Sequence, residues 1–403
     1  MTKRYCRYSV LLILLLSGAC SPAAERTAPP APSPSEPRTG NATKATPTPA
    51  PAPRPLSSSE PAAPAERRVT LAAVGDVLIH RTIYEDARTQ RSYDFNPVFE
   101  AVRPHLEGAD VTFANQESII GGTALGLSDY PAFNSPFEAA DALRDAGVDI
   151  VSMANNHTLD RGEQAVRQAI RHWKRLGVEY AGASETEADR QRLRIVERNG
   201  LKLAFVAWTY GTNGIPRPPG KPYLVHLLEQ ERAFQQEIAE AKKQADAVVA
   251  SLHFGTEYIR LPSEQQRKWA RLAAAAGADV ILGHHPHVLQ PLEWIDNGDG
   301  GRTLVAYSLG NFLAAQKKPG PHVRIGGILK AELRKPIGAS GGKAAVVIGG
   351  VRFLPTYVRF QAWRGYRVIP LSQASEAELP GVRGIREEVA SHMRRWLPEL
   401  LVD

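Results

Sequence analysis

From residue 69 onward, short apolar runs recur along the chain, separated by stretches in which apolar and charged residues mix. Seven of these runs are VTLAAV (69–74), DVTFAN (110–115), VDIVSMAN (148–155), LKLAFVAW (201–208), DAVVASLHF (246–254), ADVILGHH (278–285) and TLVAYSLGN (303–311). Their near-continuous apolar character, without alternation, predicts strands buried on both faces. Between them, apolar residues at helical spacing predict helices over 161–176, 233–244 and 264–276. Asp160, followed three residues later by Glu163, reads as a capping box opening the first of these. Strands alternating with helices predict an α/β domain. After about residue 320 the segments GGILKAELRK, KAAVVIGGVRFLP and TYVRFQAWRGYRVIPL predict an antiparallel, β-rich extension closed by a terminal helix. No internal repeat is visible.

The chain before residue 69 follows other rules. Lys3, Arg4 and Arg7 precede the apolar run 10–16, and small residues then lead to Cys20. A basic start, an apolar run too short to span a bilayer and a small-residue cleavage site predict a secretory signal peptide over residues 1–19. The cysteine that follows resembles a bacterial lipobox, so Cys20 is the expected lipidation site; the plainer alternative is an ordinary cleavage site beside an incidental cysteine. Residues 21–66 hold 13 of the 31 prolines, no aromatic residue and one large aliphatic, Leu56. Such a segment cannot bury enough surface to offset its ordering entropy, so residues 20–66 are expected to be an extended linker. The expected order is leader, linker, a main domain over 67–320, and the β-rich extension over 321–403 packed on the same domain.

Composition narrows the chemistry. Of the +7 formal charge, residues 1–68 carry nine Lys or Arg against four Glu, which leaves 40 basic and 38 acidic residues in the rest. That balance does not support nucleic acid as a partner. The two cysteines are Cys6 and Cys20, so nothing after residue 20 can offer a thiolate. Any metal held by the globular part must use nitrogen and oxygen ligands.

Residues of that kind recur at the strand ends: Asp76 and His80, Asn115 and Glu117, Asn155, Asn156 and His157, His253, then His284, His285 and His287, and Asn311. Singly, each has a structural explanation, as a turn former, a cap or a hydrogen-bonded core residue. Together, at the carboxyl ends of six strands, where α/β sheets form their ligand crevice, they point to a site. Imidazole with carboxylate and amide, and no thiolate, suits a divalent transition metal such as Mn, Fe or Zn. One or two ions are compatible with the set, and two would sit about 3.5–4 Å apart.

The motifs GDVLIH, FANQESII, DIVSMANNHTLDRG, SLHFGTEY, GADVILGHHPHVLQPLE and VAYSLGNF, in this order, closely resemble the CapA family of poly-γ-glutamate capsule biosynthesis proteins, related to calcineurin-like metallophosphoesterases. The resemblance spans about residues 69–315 and implies a four-layer α/β/β/α sandwich. It further implies Asp76, Glu117, Asn156, His253, His285 and His287 as metal ligands and His157 as a general acid or electrostatic donor. The metallophosphoesterase pattern often has Asp-x-His at the first strand and an acid directly after its Asn-His pair; here those positions are Leu78, with His80 as a substitute candidate, and Thr158, with Asp160 following. Asn311 and Glu257 are candidate substrate contacts.

Two functions remain open on the sequence. One is a metal-dependent hydrolase or transferase at the cell envelope, lipid-anchored to the cell membrane or outer membrane, acting on an anionic polymer such as poly-γ-glutamate or on a phosphoester. The other is a non-catalytic accessory subunit that guides such a polymer outward beside membrane synthase subunits.

Overall fold

The structure is a computed structural model that describes residues 66–298, 300–318, 320–337 and 345–403. The leader, Cys20 and the proline-rich linker up to residue 65 lie outside them. None of the helices among the described residues is long and apolar enough to cross a membrane.

The chain builds two sheets in turn and then returns to the first. β1 (Glu66–Val77), β2 (Val111–Gln116), β3 (Ile150–Ser152) and β4 (Glu179–Ala181) pair in parallel, in that order. β5 (Arg194–Arg198), β6 (Leu201–Thr209), β7 (Ala247–His253), β8 (Val280–His284), β9 (Leu289–Asp296) and β10 (Arg302–Leu309) form the second sheet, in the order β5-β6-β7-β8-β10-β9. β6, β7, β8 and β10 run parallel in its centre, with β5 and β9 antiparallel at its edges. The chain then crosses back. β11 (Asn311–Leu313) lies beside the end of β1, and β12 (Ile325–Pro336), β13 (Val347–Gln361) and β14 (Arg364–Pro370) continue the first sheet, with β15 (Leu401–Val402) pairing β13.

Three apolar layers make this a four-layer α/β/β/α sandwich. Val69, Leu71 and Phe113 from the first sheet meet Leu203, Phe205 and Val249 from the second in one cluster between the sheets. Helices Glu138–Asp145 and Gly162–Leu176 bury Leu143, Val166 and Trp173 against the outer face of the first sheet, beside Val74, Ala114 and Val151. Helices Glu231–Gln244 and Glu264–Ala276 do the same for the second through Phe234, Ile238 and Ala273. Strands β2, β7 and β8 are buried at every residue, which is why their sequences show no alternation.

One sequence expectation needs correcting, the role of Asp160. The β-rich C-terminal segment continues the first sheet. β12 is in antiparallel register with β1 from Glu66↔Pro336 to Val74↔Ile328, so it completes the first sheet. Asp160 does not cap the helix Gly162–Leu176, whose first turn has no side-chain cap. Its Oδ2 instead accepts from the Phe133 N–H and faces His157 Nδ1, each at 2.7 Å. A short device also repeats at the amino ends of the strands. Asp110, Asp149, Asp246 and Asp279 each precede a parallel strand, and each accepts the N–H of a residue in the neighbouring strand: Thr70 at 2.7 Å, and Thr112, Lys202 and Val248 at 2.8 Å. Their own N–H groups return to the carbonyls of the same four residues.

Candidate metal centre

The crossing from β10 to β11 decides where the site lies. Gly310 turns there with φ of 65°, and its carbonyl accepts the Asp76 N–H at 2.9 Å. A Cβ on Gly75 would lie 2.0 Å from that carbonyl, so only glycine lets the end of β1 approach the second sheet this closely. Within the second sheet, Gly283 likewise lets β8 lie close to β10, where a Cβ would meet the Tyr307 carbonyl at 2.0 Å. The carboxyl ends of both sheets therefore face one another. Asp76, Glu117, Asn156 and His157 hang from the first sheet, and His253, His284, His285 and His287 from the second.

All eight are buried. Glu117 stands in the middle, with Oε1 3.7 Å from His253 Nε2 and 3.5 Å from His287 Nε2. His253 Nε2 is also 3.0 Å from Asn156 Oδ1. On the other side, His287 Nδ1 lies 3.1 Å from Asp76 Oδ2, while the other Asp76 oxygen accepts from Asn115 Nδ2 at 2.8 Å. Ligand atoms of Glu117, His253 and His285 all lie within 4.8 Å of one another, as do those of Asp76, Glu117 and His287, and those of Glu257, His285 and His287. The first two groups share Glu117.

The residues present fit a metal. Both Glu117 carboxylate oxygens, His253 Nδ1 and His285 Nδ1 are buried without a hydrogen-bond partner among the described residues. Leaving such groups unpaired costs about 1–3 kcal/mol each, so a cluster of them implies a partner. The donors are nitrogen and oxygen, as borderline divalent ions require. His285 and His287 also hold φ of 95° and 60°, a region non-glycine residues seldom adopt and one that costs on the order of 1–3 kcal/mol. Through this strain the HPH turn aims both rings at one place.

Electrostatics prepare the ligands. Burial holds His284 down to about 4 and His285 down to about 3. Burial and the neighbouring imidazoles keep His253 well below its ordinary value, so these rings are neutral. Burial works against charge on His287 too, but Glu117 and Asp76 overcome it and push the ring up to about 9. Asp76 shows the reciprocal effect: burial raises it, and the hydrogen bond and charge of His287 hold it below the carboxylate range. Glu117 is driven well above that range, because burial outweighs the attraction of His287 and Asp76 adds repulsion.

The residue model of the bacterial capsule synthesis protein family PGA_cap matches residues 70–316. The chain belongs to this family. Within it, the chain is 29% identical over 279 residues to the capsule biosynthesis protein CapA of Bacillus anthracis, covering 64% of each chain. It is 31% identical over 251 residues to the PGA biosynthesis protein CapA of Bacillus subtilis strain 168, covering 60% of this chain and 62% of that one. The matched part is thus less than two thirds of either relative. A solved structure of the Haemophilus influenzae NAD nucleotidase overlaps 84% of this chain and 57% of its own, at 13% identity and a TM-score of 0.44, too loosely to bear on chemistry.

In this family member, Glu257 alone among the remaining candidates joins one of the three ligand groups. His157 Nδ1 is held by Asp160, and the ring stands edge-on to Phe133 at 4.7 Å. Asn311, expected to touch substrate, is fully buried. Its amide donates to Gln316 Oε1 and the Val323 carbonyl, and its Oδ1 lies 3.0 Å from His287 Nδ1. It positions a ligand candidate, His287. Glu257 is exposed, yet it joins the third group. His284 stacks on Phe113 and lies 3.6 Å from Asp76 Oδ1. His80 belongs to no ligand group; its Nδ1 is held near the Leu78 carbonyl and the Ala315 N–H.

Two further site residues follow β6, the one predicted strand whose end supplied no candidate. The Tyr210 ring lies 4.8 Å from that of His285, and Asn213 Nδ2 is 3.4 Å from His157 Nδ1. Their signal is the polar, glycine-rich TYGTNG directly after an apolar run.

Proposed function

We propose that the protein is a metal-dependent hydrolase or transferase of the cell envelope that acts on an anionic polymer, poly-γ-glutamate or its precursor, in capsule synthesis. The observation that carries this is the buried, unpartnered Glu117 carboxylate in reach of imidazoles from the opposite sheet. The polymer is suggested by the two CapA relatives, a capsule biosynthesis protein in Bacillus anthracis and a PGA biosynthesis protein in Bacillus subtilis. Asp76, Glu117, Asn156, His253, His285 and His287 would hold one or two divalent ions, Mn, Fe or Zn. When bound, such ions would supply Lewis-acid polarisation of a carbonyl or phosphoryl oxygen.

The chain's own residues would do the rest. Asp160 accepts the proton on His157 Nδ1, which leaves Nε2 to exchange a proton with a leaving group beside the cleft. Phe133, edge-on to the ring, restrains its rotation. Asn311 fixes the tilt of His287, and Asn115 fixes Asp76. Burial of Asp76, Asn115, His157, His287 and Asn311 keeps water from the inner side of the site.

The test is hydrolysis of γ-glutamyl and phosphoester substrates by purified, metal-loaded full chain. His157→Ala should lower kcat by roughly 10²–10⁴ with metal content unchanged. Full activity in that variant, or polymer production in cells that tolerates loss of His253, would instead favour an accessory subunit guiding polymer beside membrane synthase subunits. Lipid anchoring through Cys20, with the domain outside the cytoplasm, is part of the same proposal. Cys20→Ser should release the protein from the membrane pellet, and retention there would count against it.

A further inference from the structure

A cleft of about 590 Å³ opens directly outside the centre, with His157 and His287 in its inner wall. That volume suits a compact ligand or a short segment of a longer one. Three cations line it: Arg81, Lys317 and Lys318. Most cations on this domain are engaged, as Lys242 is with Asp279 and Arg194 with Asp189. These three are not. Arg81 has one loose contact, 4.0 Å to Glu85, with its side chain 56% exposed. Lys318 Nζ sits 4.6 Å over the Tyr258 ring, and Lys317 has no hydrogen-bond or ion-pair partner among the described residues.

Two acids share the wall, but both face imidazoles. Glu257 is within ligand distance of His285 and His287, and Asp129 is close enough to act on His80 through its charge. The cations are therefore free to meet charge from outside, and a cleft with low-dielectric walls focuses their field. Aromatic surface lies alongside them: Tyr130 is 77% exposed, and Tyr258 lies under Lys318. Anionic groups at intervals along an aliphatic chain would match cations set among rings.

We propose that this cleft is the subsite that receives the substrate's carboxylate-bearing chain. Arg81, Lys317 and Lys318 meet successive carboxylates, and Tyr130 and Tyr258 flank the aliphatic links between them. The assignment rests on the polymer function proposed above and adds where, and by which residues, the polymer is gripped. It predicts recognition of several anionic groups in one ligand and not of a single phosphate.

The experiment is binding of a fluorescently labelled oligo-γ-glutamate to the full chain by anisotropy, as purified and after chelation, with inorganic phosphate as competitor. Lys317→Ala with Lys318→Ala should weaken binding about tenfold, and Arg81→Ala a few-fold, with melting temperatures unchanged. Salt should weaken binding to the wild-type chain more steeply than to the double variant. Unchanged affinity in the double variant would overturn the assignment. So would full displacement of the oligomer by phosphate at equal concentration of anionic groups. A chain that binds the oligomer through these residues yet hydrolyses nothing would count against the catalytic proposal alone.

Discussion

The two ends of the sheets use the same side chain in opposite ways. At the amino ends, four aspartates sit before four parallel strands, and every one receives a backbone N–H from the adjacent strand. At the carboxyl ends, Glu117 receives none, and Asp76 shares its oxygens among Asn115, the His285 N–H and two imidazoles. One end is closed upon itself; the other is left wanting a partner. The contrast shows that burial of a carboxylate does not by itself mark a site. What marks it is a buried acceptor whose neighbours are also unsatisfied.

Three measurements would break or sharpen this contrast. The largest effect is expected from chelation. If ions fill the carboxyl-end cluster, stripping them should cost up to about 4 kcal/mol for loading at a thousandfold above Kd. His253→Ala should remove the metal from elemental analysis and abolish the chelator's effect on thermal unfolding. An equal chelator shift in that variant would place the stabilising ions elsewhere. Next, Asp279→Ala should destabilise the protein by about 1–3 kcal/mol in denaturant unfolding, because the Val248 N–H and Lys242 both lose their partner. Its metal content should stay the same; a loss of metal there would erase the distinction between the two ends. Smallest, Glu117→Gln should change the stability of the chelated protein by less than about 1 kcal/mol while lowering its metal content, since burial already favours a neutral carboxyl there and an amide of similar size replaces it.

Much of this was legible in the sequence, for reasons that differ along the chain. All seven apolar runs are strands, because strands buried on both faces must be apolar throughout. β4 and β5 were missed. One has three residues, and the other is an edge strand whose Arg194 and Arg198 hide its pattern. β9 follows HPH without a break and lies outside the seven apolar runs. The repeated aspartates were visible as Asp before Val, Ile or Ala at 110, 149, 246 and 279, but their role depends on a neighbouring strand that local pattern does not reveal. Asp160 misled for a similar reason: its spacing to Glu163 fits a cap, and only the fold brings Phe133 and His157 to it. The motif histidines were found through their spacing, whereas Tyr210, Asn213, Lys317 and Lys318 share no motif and meet the centre only through long-range packing.

The passage of the chain at Gly310 has a mechanical side. The ligand candidates are divided between two layers that otherwise adhere through apolar packing and a few strand crossings. Drawing Asp76, Glu117 and Asn156 toward His253, His285 and His287 would clasp those layers together. In a globular part without cysteine, a filled centre would then stand where a cross-link would be wanted, tying together two layers that a pull on either one would otherwise part.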